Sequence, residues 1–456
     1  MSAQDQQEQQ LSILDSLMKT ARAKGADAAD AVIIESDSLG VSCRLGEMED
    51  LERSEARDLG LRVFIGKQQA IVSTSDLSAE ALEAMADRAV SMARYAPEDP
   101  YCGLVEPDML ADSASAIATS GQLDLCDDAR PEAETLFATA KEIEEAALAV
   151  DGITNSEGGS ASWGRSAVAL VTSDGFAAWY QSSSHSRGIS VIAGEGTGME
   201  RDYEFSSARH LEDLDAATDI GREAAEKTIK RLNPGSHETC KVPVVFDPRV
   251  GASLLGHLSG AINGASIARG TSFLKDAMET QIFSENISII DDPLRPRGLR
   301  SKAFDGEGVA TQKREFIKDG VLTSWFLEAA SARQLGLPLT GSASRGTSSV
   351  PGAGPSNFYL AAGNQTPSEL MADIESGFYV TELIGMGVNG VTGDYSRGAS
   401  GFWIENGEIA GPVHGLTIAG NLKDMFLNLT AADDLVFKYG SNVPTLRLEG
   451  LTLAGT

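Results

Sequence analysis

Val380–Leu429, VTELIGMGVNGVTGDYSRGASGFWIENGEIAGPVHGLTIAGNLKDMFLNL, decides how this chain folds. Ten of its fifty residues are glycine, set between short β-type runs, and its polar side chains cluster instead of alternating with apolar ones. Gly385, Gly387, Gly390, Gly393, Gly398 and Gly401 are too dense for a helix and too irregular for a flexible linker. They mark bulges and tight turns where backbone approaches backbone, the way a closed, shaped β structure is built. Gly385-Met-Gly387-Val-Asn-Gly390 also fits the dinucleotide fingerprint G-x-G-x-x-G and follows the strand-like run Phe378 to Ile384. The third glycine of that fingerprint should lie in the first turn of a helix. The following Val-Thr-Gly-Asp-Tyr-Ser-Arg-Gly would not sustain one, so no cofactor loop is expected.

Around this block the pattern from residue 239 to 456 is mostly β. Strands are expected at Lys241 to Phe246, Ile287 to Asp291, Glu315 to Lys318, Val321 to Leu327, Asn357 to Ala361, Gly401 to Glu405, Gly415 to Gly420 and Thr445 to Leu451. Helical spacing appears at Pro248 to Gly264, Ala329 to Leu335 and Pro367 to Asp373. Asn233-Pro-Gly-Ser-His-Glu238 ends the preceding helix and sets the boundary.

Upstream, residues 1–233 repeat one order of elements. A helix from Gln6 to Lys24 leads to strands at Ala31 to Glu35, Gly40 to Leu45, Leu59 to Ile65 and Gln69 to Thr74, then a helix from Ser78 to Arg94. A helix at Pro131 to Ala149 leads to strands at Ile153 to Glu157, Ala161 to Gly164, Ala167 to Thr172, Gly175 to Ser182 and Gly188 to Gly194, then a helix at Leu211 to Leu232. The expectation is an α+β protein: a duplicated helix, β-meander, helix layer (1–95 and 131–233, with a surface crossover at 96–130), followed by a curved, mostly antiparallel β domain.

Charge and cysteine usage narrow the function. The formal charge of −29 comes without a basic block, which argues against nucleic acid and anionic membrane as partners. Cys43, Cys102, Cys126 and Cys240 are isolated from one another and match neither a zinc knuckle nor a disulfide framework, so reduced thiols in a cytoplasmic protein are expected. MSAQDQQEQQ has no apolar core of a signal peptide, and no run approaches the length of a membrane span.

Five histidines limit the chemistry. His237-Glu238 begins like H-E-x-x-H, but Lys241 stands where the second imidazole should be, and His237 reads as an exposed linker residue. His185 falls at a strand end or turn, and His210 leads into a helix. His257, on the helix after Phe246, and His414, in the glycine-rich block, form with Glu382, Asp394 and Arg397 the only constellation able to converge on a cleft. The same residues have a plainer reading, in which Asp394 and Arg397 pin a turn and His257 is a hydrogen-bonded core or interface residue.

The segments VTELIGMGVNGVTGDYSRGASGFWIENGEI (380–409) and LTIAGNLKDMF (416–426) closely resemble the TldD/PmbA family, specifically its PmbA (TldE) branch. So do GHLSGAINGASIARGTSFL (256–274), FDGEGVATQKREFIKDGVLTSWFL (304–327) and SARQLGLPLTGSASRG (331–346). In that family the catalytic sister subunit resembles a metallopeptidase, with a helix bearing H-E-x-x-x-H and a distant cysteine as zinc ligands. The resemblance places that helix at Leu254 to Gly264, where this chain has only His257, no adjoining glutamate and no cysteine after Cys240. It therefore implies a subunit with no cofactor or metal of its own and no assigned catalytic residue. Zinc would be expected in a TldD-like partner, with extended peptides as substrates and a homodimer as an alternative assembly. Two further readings stand beside it: a self-contained hydrolase using His257, His414, Glu382 and Asp394, and a non-catalytic peptide-binding scaffold or regulator.

Overall fold

The structure, a computed structural model, describes residues 2–455. Ser2 caps the first helix, α1 (Ala3–Ala23), through a capping box with Asp5. Strands β1 (Ala28–Arg44), β2 (Glu47–Ile65) and β3 (Gln68–Thr74) follow, then α2 (Ala79–Tyr95), with Ser78 as its N-cap. Next come α3 (Ser113–Gln122) and α4 (Ala133–Leu148), strands β4 (Ile153–Thr172), β5 (Ala177–Ala193) and β6 (Glu200–Ala208), and helix α5 (Ala217–Lys230).

These six strands make one antiparallel sheet in the order β3-β2-β1-β4-β5-β6, two meanders joined through their first strands. Alternation along β1 sorts the two faces. Ala29, Ala31 and Ile33 pack under α1 and α2. Val32 and Ile34 pack on the opposite side with α3, Phe176 and Phe304. The expected pairs of short strands are in fact continuous long ones. Their polar middles, such as Ser36 to Ser38, look like gaps in the sequence although the ladder runs through them.

Eight of the twelve residues from Glu47 to Asp58 are charged, and all twelve are exposed. β3 pairs only with Leu59–Ile65, so this half of β2 is a free edge, and its charges oppose pairing with another strand. Two further expectations change. The 96–130 crossover contains α3 and buries Val105, Ala116, Leu123 and Leu125, so it is part of the core and not only surface. β6 carries Glu200, Asp202 and Glu204 in alternation, a composition that hid it as a strand.

Beyond residue 239, β7 (Cys240–Phe246) leads into α6 (Pro248–Ala261), capped by Asp247 with Pro248 in its first turn. Strand Ser376–Ile384 pairs with β7 in parallel and with Asp394–Glu405 in antiparallel fashion. Asp394–Glu405 pairs with Glu408–Asn421, that strand with Leu446–Ala454, and Leu446–Ala454 with β7. The circuit is closed: five strands form a barrel, as the glycine density of 380–429 implies.

Gly401 shows why that density is needed. A Cβ there would sit 2.0 Å from the Tyr379 carbonyl oxygen, at a bulge where the register shifts between Ala399 and Gly401. A smaller sheet, built from Ile289–Asp291, Arg314–Lys318, Val321–Leu322, Phe358–Leu360 and Ser441–Asn442, completes the C-terminal half. Leu254, Leu255 and Leu258 of α6 enter its large core beside Phe246, Phe326 and Phe378.

Candidate functional site

α6 presents His257 half-buried, with its ring edge-to-face with Tyr395 at 6.0 Å between centroids. Neither His257 Nε2 nor the Tyr395 hydroxyl has a hydrogen-bond partner among the described residues. Burial pushes the His257 pKa down, and the Arg397 guanidinium pushes it the same way. Burial raises the Tyr395 phenol to about 12, against the opposing pull of Arg397. The imidazole is thus held neutral beside a cation. Arg397 itself donates from Nε to the Gly385 carbonyl at 2.9 Å, and so pins the glycine-rich turn.

The other sequence candidates are carried elsewhere. Glu382 is ion-paired with Arg231, whose Nε lies 3.5 Å from Glu200 Oε2. His414 Nδ1 lies 3.7 Å from the other oxygen of Glu200. Glu382 and His414 therefore meet in one network, while His257 and Arg397 meet in another around Tyr395. A cavity of about 300 Å³ has Arg231, Glu382 and Arg397 in its wall, so the two networks border one space.

Asp394 belongs to neither network. It accepts from Thr392 Oγ1 at 2.6 Å and Asn421 Nδ2 at 3.1 Å, and these bonds lower its pKa. Its rung pairs with Asn421, whereas Val413, the neighbour of His414, pairs with Gly401. Seven residues along the strand from 394 to 401 span about 24 Å at ~3.4 Å per residue. No single site gathers His257, His414, Glu382 and Asp394.

His210 precedes the short helix Leu211–Asp213, as expected, but the other two histidines sit differently from expectation. His185 lies within β5, 1% exposed, with Nε2 3.4 Å from Asp127 Oδ2. The alternation of β5 turns it inward, and the serines around it disguise a long strand as a turn. His237 stacks on Trp403 at 3.7 Å and is half-buried, not simply an exposed linker residue.

A buried ion-pair network around Asp202 has little signature in the sequence. Asp202, 4% exposed, receives Arg249 Nη1 at 2.7 Å and Nη2 at 3.0 Å, with Arg231 Nη1 at 3.4 Å. Burial favours the protonated acid, but these guanidiniums win, and its pKa falls. This network ties β6 and α5 to α6 and the barrel. Its one advance signal is the acidic alternation Glu200, Asp202, Glu204 on a strand, which demands cations from a facing element once buried.

The residues at α6 do not form a donor set for a zinc ion. Structural and catalytic zinc sites take at least three protein donors. Among the described residues, no three His, Cys, Asp or Glu side chains are gathered so that they could hold an ion. The one imidazole on α6 faces an aromatic ring and a guanidinium. No helix among these residues is long and apolar enough to cross a membrane.

A helix-covered antiparallel sheet joined to a glycine-bulged barrel matches, part by part, the profiles described as PmbA/TldA metallopeptidase. Domain 1 covers residues 29–93, the central domain 126–232 and the C-terminal domain 239–455. The chain is 37% identical to Metalloprotease PmbA of Escherichia coli O157:H7, over 100% of this chain and 99% of that one. It is 35% identical to the Metalloprotease PmbA homolog of Haemophilus influenzae, over 98% and 97%. The crystal structure of TldE from Thermococcus kodakarensis superimposes with a TM-score of 0.85 at 21% identity, covering 97% and 100% of the two chains. The chain belongs to the PmbA/TldD metallopeptidase family, in its PmbA (TldE) branch.

Proposed function

We propose that this chain is the subunit without a metal of its own in a two-component cytoplasmic peptidase, pairing with a TldD-like zinc subunit in the proteolysis of peptides and small unfolded proteins. The donor set at α6 carries this reading. His257 stands alone there, and Arg397 next to it would repel a divalent cation. The subunit's contribution is then to enclose the partner's site and admit extended chains, which add as strands to an exposed sheet edge.

Co-expression with a TldD-like subunit, separation of the two chains and metal analysis of each tests the proposal. Stoichiometric zinc is expected only in the partner, with cleavage of an unfolded peptide only by the pair. One zinc per chain on this subunit alone, with chelator-sensitive cleavage, overturns it. A homodimer that neither binds the partner nor supports cleavage overturns the pairing.

A further inference from the structure

A cavity of about 840 Å³ lies between β6 and α5 on one side and the barrel on the other, and none of the sequence candidates lines it. Most of its charges are already matched. Asp202 is held by Arg249, and Glu204 by Lys227 and by Lys438 at 2.6 Å. Asp247 accepts from the Tyr379 hydroxyl at 3.1 Å, and Asp434 from Thr445.

Two polar groups stand out against these. Lys230, the last residue of α5, is exposed at the cavity wall and has no ion-pair or hydrogen-bond partner among the described residues for its ammonium. Thr381 is 6% exposed, and its hydroxyl has no partner. It occupies the bulge where the barrel register slips from Val380–Gly401 to Glu382–Ser400. A bulge takes a residue out of the ladder and re-aims its side chain. Beside these groups stand Phe402, Pro412 and two large apolar side chains in contact with water, Ile409 (47% exposed) and Val436 (69%).

We infer that this cavity is a binding site for the free C-terminal end of a peptide with an apolar last residue. The terminal carboxylate pairs with Lys230, a main-chain group of the peptide takes the Thr381 hydroxyl, and the last side chain covers Ile409 and Val436. The chemistry follows from what is left over: one cation without a partner, one buried hydroxyl and an apolar wall, with the other charged side chains already engaged in ion pairs or hydrogen bonds. A nucleotide or polyphosphate would need several uncommitted cations. A wholly apolar ligand would leave the hydroxyl orphaned. The inference concerns this chain alone, so it stands or falls separately from pairing with a zinc subunit.

The test is calorimetric titration of the isolated full-length chain with N-acetyl-Ala-Leu-Leu as the free acid and as the C-terminal amide. Saturable binding of the acid is expected, at least tenfold tighter than the amide. Lys230→Gln should abolish that preference while leaving the amide unchanged, and Thr381→Val should weaken both forms several-fold. Lys230 is exposed and unpaired, so its variant is expected to fold, and an unchanged circular dichroism melt confirms it. Equal affinity for acid and amide, no saturable binding at millimolar peptide, or an acid preference that survives Lys230→Gln overturns the inference.

Discussion

Asp30→Asn should destabilise the junction between the N-terminal sheet and the C-terminal half more than any surface substitution. Asp30 lies on β1 and is 1% exposed. It receives Nε of Arg62 at 3.0 Å, the same guanidinium's Nη2, and Nη1 of Arg345 at 2.5 Å. Burial disfavours its charge, but Arg345 and Arg62 together hold the pKa below the usual carboxylate range. Arg345 comes from the C-terminal half, so the carboxylate joins segments 315 residues apart in sequence. The arginine side chains are 4% and 2% exposed. Removing the charge leaves Arg62 with only Glu307, 3.7 Å from its Nη2, and Arg345 with no carboxylate partner among the described residues.

Breaking a buried pair from one side costs about 3–5 kcal/mol, because the remaining charge stays buried. At a urea dependence of about 3 kcal/mol per molar, the unfolding midpoint falls by about 1–1.7 M. Equilibrium unfolding followed by tryptophan fluorescence reads this, since Trp163 and Trp179 report the sheet and Trp325 and Trp403 the other half. A double-mutant cycle with Arg345→Met should show coupling of at least ~1 kcal/mol. Replacing Asp30, Arg62 and Arg345 together by Leu, Met and Met should recover part of the loss. A midpoint shift within error for Asp30→Asn, or strict additivity with Arg345→Met, refutes the reasoning.

Other consequences are measured on the same protein. Burial raises Glu307 to about 7, against the pull of Arg62. Its protonated form is therefore favoured in the folded state. The stability it contributes is complete below the ordinary carboxylate range near pH 4.5 and is lost as pH rises through about 7, at ~1.4 kcal/mol per pH unit at most. Glu307→Gln should flatten the pH dependence of the urea midpoint between pH 5 and 7.5 (roughly that window), and an unchanged slope contradicts the assignment. Gly401→Ala should lower the thermal midpoint, since its methyl would meet the Tyr379 carbonyl oxygen at 2.0 Å. Overpacking costs about 1–3 kcal/mol, and a wild-type melting temperature would show that the bulge yields freely. Ser78→Ala removes the hydroxyl that accepts from Ala81 at 3.3 Å. The loss of about 1 kcal/mol expected of an N-cap is read by urea denaturation, and no change would mean Asp76 alone organises that turn.

What the sequence showed follows from how locally each feature is encoded. α1, α2 and α4 carry their own caps or apolar spacing, and their expected bounds lie within a few residues of those found. The glycine block is legible for a related reason: a bulge needs a residue without a Cβ at one place, and the chain must state it. The long strands look broken in the sequence because only part of each is packed. β2 changes from fully exposed to fully buried at Leu59, where β3 begins to cover it, and no single period describes both halves. The Asp202 network was out of reach because its members lie on β6, α5 and α6, and no local pattern says that Arg231 and Arg249 will share one carboxylate.

The same distinction explains the proposed division of labour. α6 is structurally required because Leu254, Leu255 and Leu258 are core residues of the C-terminal half, and losing the helix would open that core. Its outward face has no such obligation, and there the chain has one imidazole among small residues. Arg397 sharpens the point. A cation beside His257 disfavours a protonated imidazole and would likewise disfavour a divalent ion there. Arg397→Gln should therefore raise the His257 pKa, measured from the pH dependence of its ring proton shifts. It should not create zinc binding, because one imidazole remains one donor. Stoichiometric zinc on that variant would show that the guanidinium, and not the missing ligands, keeps the ion away.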